Sequence, residues 1–147
     1  MTIRVLVADD QAMIRGALAG LLDLERDIEV VAQAADGTQA LDELARLASA
    51  DGPARTSAPV DVAIIDIEMP RMDGITATQA IRSRFPGVRV LIVTTFGRPG
   101  YLQRALDAGA TGFMVKDAPV ETLADGVRTV AAGGRAIDQS LALEALS

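Results

Sequence analysis

Short apolar runs recur along the chain, with amphipathic segments between them. The runs are rich in Val and Ile and nearly free of polar residues, which is typical of strands covered on both faces of a sheet. We predict strands at residues 3–8, 28–34, 60–65, 88–93 and 112–115. Each run is followed by apolar residues at helical spacing. This alternation predicts an α/β fold, a flavodoxin-like (βα)5 doubly wound parallel sheet with strand order 2-1-3-4-5.

Two segments interrupt the alternation. Residues 49–59, SADGPARTSAP, are small and polar, and we interpret them as a surface loop with no assigned partner. Residues 133–147 open with two glycines, and an amphipathic helix is predicted to begin near Asp138. We interpret residues 1–132 as one domain and residues 133–147 as the start of a linker helix that leads to a domain outside this sequence.

The composition is acidic and lacks two common catalytic side chains. With 20 Asp and Glu against 14 Lys and Arg, the net charge is −6, which argues against binding of nucleic acid or an anionic membrane by this chain alone. The absence of Cys excludes disulfides, thiolate nucleophiles and cysteine-ligated metals. The absence of His means that any imidazole chemistry must come from another molecule. Lys116 is the only lysine in the sequence.

No apolar run in the sequence approaches the roughly 18 residues that suggest a membrane span. The apolar stretch near the N-terminus has only about six residues, fewer than the core of a signal peptide needs. We therefore expect a cytoplasmic chain without a membrane partner.

Chemically useful side chains fall at the ends of the predicted strands. In an open parallel sheet, the carboxyl ends of the strands form the ligand-binding edge. The residues at those ends are Asp9, Asp10, Asp66, Thr94, Thr95 and Lys116. Because converging carboxylates repel by about 4 kcal/mol per pair at 4 Å, they need a cation. An oxygen-only set favours Mg²⁺ or Mn²⁺, with Lys116 as a further positive charge.

Each of these residues also has a purely structural interpretation. Asp10 is a suitable N-cap residue for the first helix, and Asp66 is a suitable turn residue. The two threonines are ordinary strand residues, and Lys116 alone is an ordinary surface lysine. The combination favours a site, because the required residue types occur at the ends of four strands.

Four stretches identify a resemblance. They are VLVADDQ at 5–11, AIIDIEMPRMDG at 63–74, VLIVTTF at 90–96 and GATGFMVKDAP at 109–119. Over residues 2–132 the chain resembles the receiver domain of bacterial two-component response regulators. In that family a sensor histidine kinase supplies a phosphoryl group from a phosphohistidine, and an aspartate of the receiver accepts it.

The resemblance implies a role for each site residue. Asp66 is the expected phosphoacceptor, and the expected ligands of Mg²⁺ are Asp9, Asp10, Asp66 and the backbone carbonyl of Glu68. Thr94 and Lys116 are expected to contact the phosphoryl group. Phe113 is the aromatic residue expected to rotate when Thr94 moves, so that these two residues form the switch.

Two features depart from the commonest pattern of the family. Asp117 follows the lysine where many receivers have proline, and residues 49–59 lengthen the interval between Asp10 and Asp66. The stretches TTF and KDAP and the C-terminal segment resemble the NarL/FixJ-type subfamily. That resemblance implies homodimerisation on activation, with the first and fifth helices as candidate faces. It also implies that DNA is bound only by a C-terminal helix-turn-helix domain absent from this sequence.

Other functions remain to be distinguished. A stand-alone receiver that shuttles phosphoryl groups or binds a protein would differ only in the sequence beyond Ser147. An aspartate-nucleophile phosphohydrolase needs a second Asp two residues after the nucleophile, where this chain has Glu68, so we do not expect a turnover enzyme. A dinucleotide-binding domain is disfavoured because the first strand-to-helix turn, ADDQAM, has no glycine and would repel a phosphate.

Overall fold

The computed structural model describes residues 2–50, 58–95, 100–138 and 141. Its strands are β1 (Ile3–Ala8), β2 (Ile28–Ala34), β3 (Val62–Asp66), β4 (Arg89–Thr94), β5 (Gly112–Val115) and β6 (Ala136–Ile137). Its helices are α1 (Ala12–Asp23), α2 (Gly37–Ala50), α3 (Gly74–Arg84), α4 (Tyr101–Ala108) and α5 (Val120–Ala131). Within these residues no helix combines the length and apolar character needed to cross a bilayer.

The strands form one parallel sheet in the order β2-β1-β3-β4-β5-β6. The predicted doubly wound α/β fold is thus confirmed, and β1, β2 and β5 have the predicted bounds. β3 and β4 begin and end one or two residues later than predicted. The end of β1 lies between the ends of β2 and β3, which is where the strand order reverses.

Two apolar layers cover the sheet, one on each face. Alternate residues of β1 show the division, since Val5 and Val7 pack with α1 and α5 while Leu6 and Ala8 pack with α2, α3 and α4. All four of these side chains are almost fully buried. Burial on both faces explains why the strands read as continuous apolar runs.

The sixth strand was not predicted from the sequence. Residues 136–137 of the expected linker pair in parallel with β5, with Ala136 opposite Gly112 and Ile137 opposite Phe113. Leu141 is also buried and belongs to the apolar cluster on the α2, α3 and α4 face. The residues that follow α5 therefore contribute to the sheet and to the core. The helix predicted from Asp138 falls largely on residues 139–147, of which only Leu141 is described.

The turns around the helices follow the expected local rules. Gly109 ends α4 in the left-handed conformation, at φ 107°, where a side chain would be strained. Pro119 occupies the N-cap position of α5, directly before its first turn. Most of the predicted surface loop at 49–59 lies outside the described residues, as does Phe96 of the VLIVTTF stretch.

Candidate functional site

Asp9 and Asp10 directly follow β1. Asp9 is 1% exposed, and its Oδ1 accepts a hydrogen bond of 2.9 Å from the backbone N–H of Gln11. The carbonyl oxygen of Asp9 accepts a second one, of 2.8 Å, from the guanidinium of Arg15. Asp10 is exposed and precedes Gln11, the N-cap residue of α1, whose cap lacks a side-chain hydrogen bond. The interpretation of Asp10 as the cap of α1 is therefore wrong, and its carboxylate faces the same edge as Asp9.

Asp66 is the last residue of β3 and is 5% exposed. The backbone after it is held at two points, because the N–H of Ile67 donates to the carbonyl of Val93 and the N–H of Gly74 donates to the carbonyl of Ile67. Gly74 packs directly on the backbone of Asp66, and a Cβ at this position would overlap the carbonyl oxygen of Asp66. The glycine therefore has a structural role, in shaping the loop that starts at the candidate phosphoacceptor.

Lys116 follows β5 and extends toward these carboxylates. Its backbone N–H donates to the carbonyl of Thr94, which aligns the ends of β4 and β5. Its Nζ lies 2.6 Å from Oδ2 of Asp9 and 3.3 Å from Oδ2 of Asp66. The side chain is only 7% exposed, so this ammonium is buried against both carboxylates.

Asp9, Asp10 and Asp66 form the one group of three or more potential metal ligands found among the described residues. One carboxylate oxygen from each lies within 4.8 Å of the others. Oδ2 of Asp9 is buried, and the ammonium of Lys116 lies 2.6 Å from it. Three carboxylates against one ammonium leave an excess of negative charge, and oxygen donors suit a hard divalent cation. The residues present therefore fit a metal ion.

The electrostatics of Asp66 follow from this crowding. Burial raises the pKa of its carboxyl to about 6, helped by the negative charges of Asp9 and Asp10, while Lys116 opposes the rise. Burial alone would lower the pKa of Lys116, but the carboxylates of Asp9 and Asp66 outweigh it, so that the pKa is raised. Lys116 therefore stays protonated at neutral pH. Asp66 is ionised at that pH, although burial disfavours its charged form.

The two predicted switch residues are both buried. Thr94 ends β4 and is 3% exposed, while Phe113 lies in β5 and is 1% exposed. Phe113 is also tied to the segment after α5, because its carbonyl accepts a hydrogen bond of 2.8 Å from the N–H of Asp138. The ring of Phe113 is thus turned into the core. Glu68 lies in the loop after β3 with an exposed side chain, and its carbonyl ligation stays a prediction.

Sequence reasoning missed an ion pair beside the cluster. Asp36 is 1% exposed, and its Oδ2 accepts a hydrogen bond of 2.7 Å from Nε of Arg71. Its Oδ1 accepts one of 2.8 Å from the N–H of Gln39, in the first turn of α2. The bond to Gln39, and then the guanidinium of Arg71, hold the pKa of Asp36 below its usual value despite burial. An Asp before Gly37 signals a cap in the sequence, but its pairing with Arg71 depends on the loop conformation.

Comparison with known proteins identifies the family. The model of the response regulator receiver domain matches residues 5–128. The transcriptional regulatory protein DesR of Bacillus subtilis is 41% identical over 133 residues, which cover 90% of this chain and 60% of DesR. The uncharacterised transcriptional regulatory protein YvfU of the same organism is 40% identical over 139 residues, or 95% of this chain and 64% of YvfU. The chain thus spans about three fifths of the length of these curated relatives.

A solved structure agrees with these matches in both fold and sequence. A LuxR-family response regulator from Aurantimonas sp. SI85-9A1 superposes with a TM-score of 0.84 at 28% identity, covering 99% of this chain and 96% of that one. The fold, the carboxylates at the ends of the strands and the relatives all indicate the same family. The chain belongs to the response regulator receiver domain family, with homologues among the NarL- and LuxR-type regulators.

Proposed function

We propose that Asp66 accepts a phosphoryl group from the phosphohistidine of a sensor histidine kinase. The contact of one buried ammonium with the carboxylates of Asp9 and Asp66 carries this proposal. In the transfer, the P–N bond of the phosphohistidine breaks and a bond forms between phosphorus and a carboxylate oxygen of Asp66. The imidazole leaves with the electron pair of the broken bond and takes up a proton. Since this chain has no histidine, the phosphohistidine lies outside it.

We propose Mg²⁺ as the cation of the site, held by Asp9, Asp10, Asp66 and the backbone carbonyl of Glu68. When bound, it would neutralise charge on the phosphoryl oxygens. Lys116 already contacts two of the carboxylates, so its ammonium is positioned to pair with a phosphoryl oxygen in the same space. The hydroxyl of Thr94, at the neighbouring strand end, is proposed to donate a hydrogen bond to another of these oxygens.

The proposed response to phosphorylation starts at Thr94. As its hydroxyl turns toward the phosphoryl group, Phe113 rotates in the core. This local change shifts the domain between two conformations, and the phosphorylated conformation forms a homodimer. In the whole regulator, the proposed output is control of transcription through a DNA-binding domain outside this chain. The relatives named as transcriptional regulatory proteins support that output.

Labelling by a small phosphodonor tests the proposed acceptor. The intact chain incubated with phosphoramidate and Mg²⁺ should gain the mass of one phosphoryl group, and Asp66→Asn should gain none. Asp73→Asn is a matched control, since Asp73 is an exposed carboxylate of the same loop and Asn preserves its capping of α3. Equal labelling of Asp66→Asn and the parent chain would refute the assignment.

Beryllofluoride tests the proposed response independently of phosphoryl chemistry. Sedimentation of the chain with Mg²⁺ should show a shift from monomer toward dimer on adding beryllofluoride. The Asp66→Asn variant should show no such shift. A dimer fraction that beryllofluoride leaves unchanged would contradict dimerisation on activation.

A further inference from the structure

The loop that follows β3 is attached to the turn before α2. Nε of Arg71 donates to Oδ2 of Asp36 at 2.7 Å, and the N–H of Gly37 donates to the carbonyl of Met72 at 3.2 Å. Since β1 lies between β2 and β3 in the sheet, both contacts bridge the end of β1. Asp9 follows β1 at that same end. The bridge therefore flanks the carboxylate cluster.

This bridge is closely fitted. Arg71 has a φ of 65°, the one positive value found for a described residue other than glycine. A non-glycine residue adopts that conformation only when its surroundings compensate for the strain. A Cβ on Gly37 would approach Met72 to 2.8 Å, so the two segments touch without room for a side chain between them. Asp36 commits one carboxylate oxygen to Arg71 and the other to α2.

The ends of the same loop are held by the sheet and by α3. The N–H of Ile67 donates to the carbonyl of Val93 in β4. The N–H of Gly74, at the start of α3, donates to the carbonyl of Ile67. Glu68 lies between these anchors and the bridge, one residue after Ile67. The path of its backbone is therefore constrained from the β4 side by Ile67 and from the β2 side by Arg71.

We propose that Asp36 and Arg71 are positioning residues for the divalent cation. By fixing the loop across the end of β1, their ion pair holds the carbonyl of Glu68 where it completes the ligand set. This inference rests on the proposed function for the identity of the ligands. Groups that orient metal ligands without touching the metal typically change affinity by about 10- to 100-fold. We expect the lower end of that range, since the side chain of Arg71 is 64% exposed.

The sign of the effect separates positioning from simple electrostatics. Removing the positive charge of Arg71 would strengthen the binding of a cation nearby if charge alone mattered. Loss of positioning has the opposite consequence, because the loop is released and the carbonyl of Glu68 leaves its place. Weaker Mg²⁺ binding after Arg71 is neutralised is thus a signature that a bulk charge effect cannot produce.

The test is calorimetric titration of the intact chain with Mg²⁺, with urea unfolding in chelator as a parallel measurement of stability. Arg71→Asn removes the guanidinium while keeping a residue type that tolerates positive φ. Asp36→Asn keeps an acceptor for the N–H of Gln39 but loses the charge. Arg46→Asn is the matched control, because Arg46 forms an exposed ion pair with Glu43 on α2 and its loss changes the net charge equally.

We expect Arg71→Asn to weaken Mg²⁺ binding about tenfold and Arg46→Asn to leave it unchanged. The double variant Asp36→Asn/Arg71→Asn should bind no more weakly than Asp36→Asn alone, because the two residues act as one pair. Parental affinity in an Arg71→Asn variant that folds normally would overturn the positioning role and leave the magnesium site intact. Absence of Mg²⁺ binding by the parent chain would overturn the magnesium site itself, and the positioning role with it.

Discussion

The ammonium of Lys116 lies 2.6 Å from Oδ2 of Asp9, although β5 and β1, the strands that precede these residues, are not neighbours in the sheet. The contact spans the ends of β3 and β4. Asp66 is the last residue of β3, and its Oδ2 is 3.3 Å from the same nitrogen. The buried ammonium places a positive charge beside both carboxylates. There it can stabilise the negative charge of a phosphoryl group that approaches Asp66.

Replacement of Lys116 by Met should slow phosphorylation of Asp66 by about 10²-fold, or about 2.7 kcal/mol of activation free energy. Methionine keeps much of the side-chain volume but removes the charge that would face the phosphoryl group. The measurement is the initial rate of labelling by phosphoramidate at saturating Mg²⁺. Arg46→Met, which removes an exposed charge on α2, should label at the parental rate. A Lys116→Met rate within twofold of the parent would contradict the assigned role.

The pKa of Asp66 predicts how stability depends on pH in the absence of divalent cations. Because that pKa is about 6 in the folded chain against an ordinary value of 3.8, folding favours the protonated form. Its contribution is therefore fully present below about pH 4 and is lost as the pH rises through about 6. At pH 8 the ionised carboxylate costs at most about 3 kcal/mol, at 1.36 kcal/mol per pKa unit.

Asp66→Asn removes this cost, so it should be more stable than the parent chain at pH 8 by about 1–3 kcal/mol. The advantage should disappear toward pH 4. Urea unfolding in chelator from pH 4 to pH 8 measures the difference, and Glu29→Gln, at an exposed position of β2, should show no such trend. An Asp66→Asn variant no more stable than the parent at pH 8 would show that the carboxylate is not destabilised.

The carboxylate edge was predictable from the sequence because topology alone determines it. Once apolar runs establish a parallel sheet, the residues after each run must share one edge, and Asp9, Asp66 and Lys116 do so. The Asp36–Arg71 pair was not predictable in the same way. It requires an arginine at positive φ, a conformation that the arginine type itself does not indicate.

The sixth strand, β6, could not be predicted from the sequence for a different reason. Ala136–Ile137 has two residues, too few to display the period-2 or continuous apolar pattern by which strands are recognised. Its pairing depends instead on the exposed edge of β5, a property of the assembled sheet. The glycines before it mark the end of α5 but say nothing about what the chain does next.

Gly74→Ala tests how closely α3 is packed on Asp66, the proposed phosphoacceptor. Since the new Cβ would overlap the carbonyl oxygen of Asp66, the backbone at one of the two residues must move. We expect a loss of about 1–3 kcal/mol in the free energy of unfolding and slower labelling of Asp66. Gly20→Ala is the matched control, because no atom from outside its own stretch of α1 lies within 4 Å of the added Cβ and alanine favours the helix. Parental stability and labelling in Gly74→Ala would contradict this close packing.

Leu141→Ala tests whether the residues after α5 belong to the folded domain. Leu141 is 4% exposed and packs in the same apolar cluster as Phe113, so its truncation should lower the free energy of unfolding by about 2 kcal/mol or more. Leu24→Ala provides the comparison, since Leu24 is 78% exposed after α1 and its truncation should change stability by less than about 0.5 kcal/mol. Urea unfolding measures both variants. If Leu141→Ala unfolds like Leu24→Ala, Leu141 contributes little to the core. A larger loss places this residue within the core that holds Phe113.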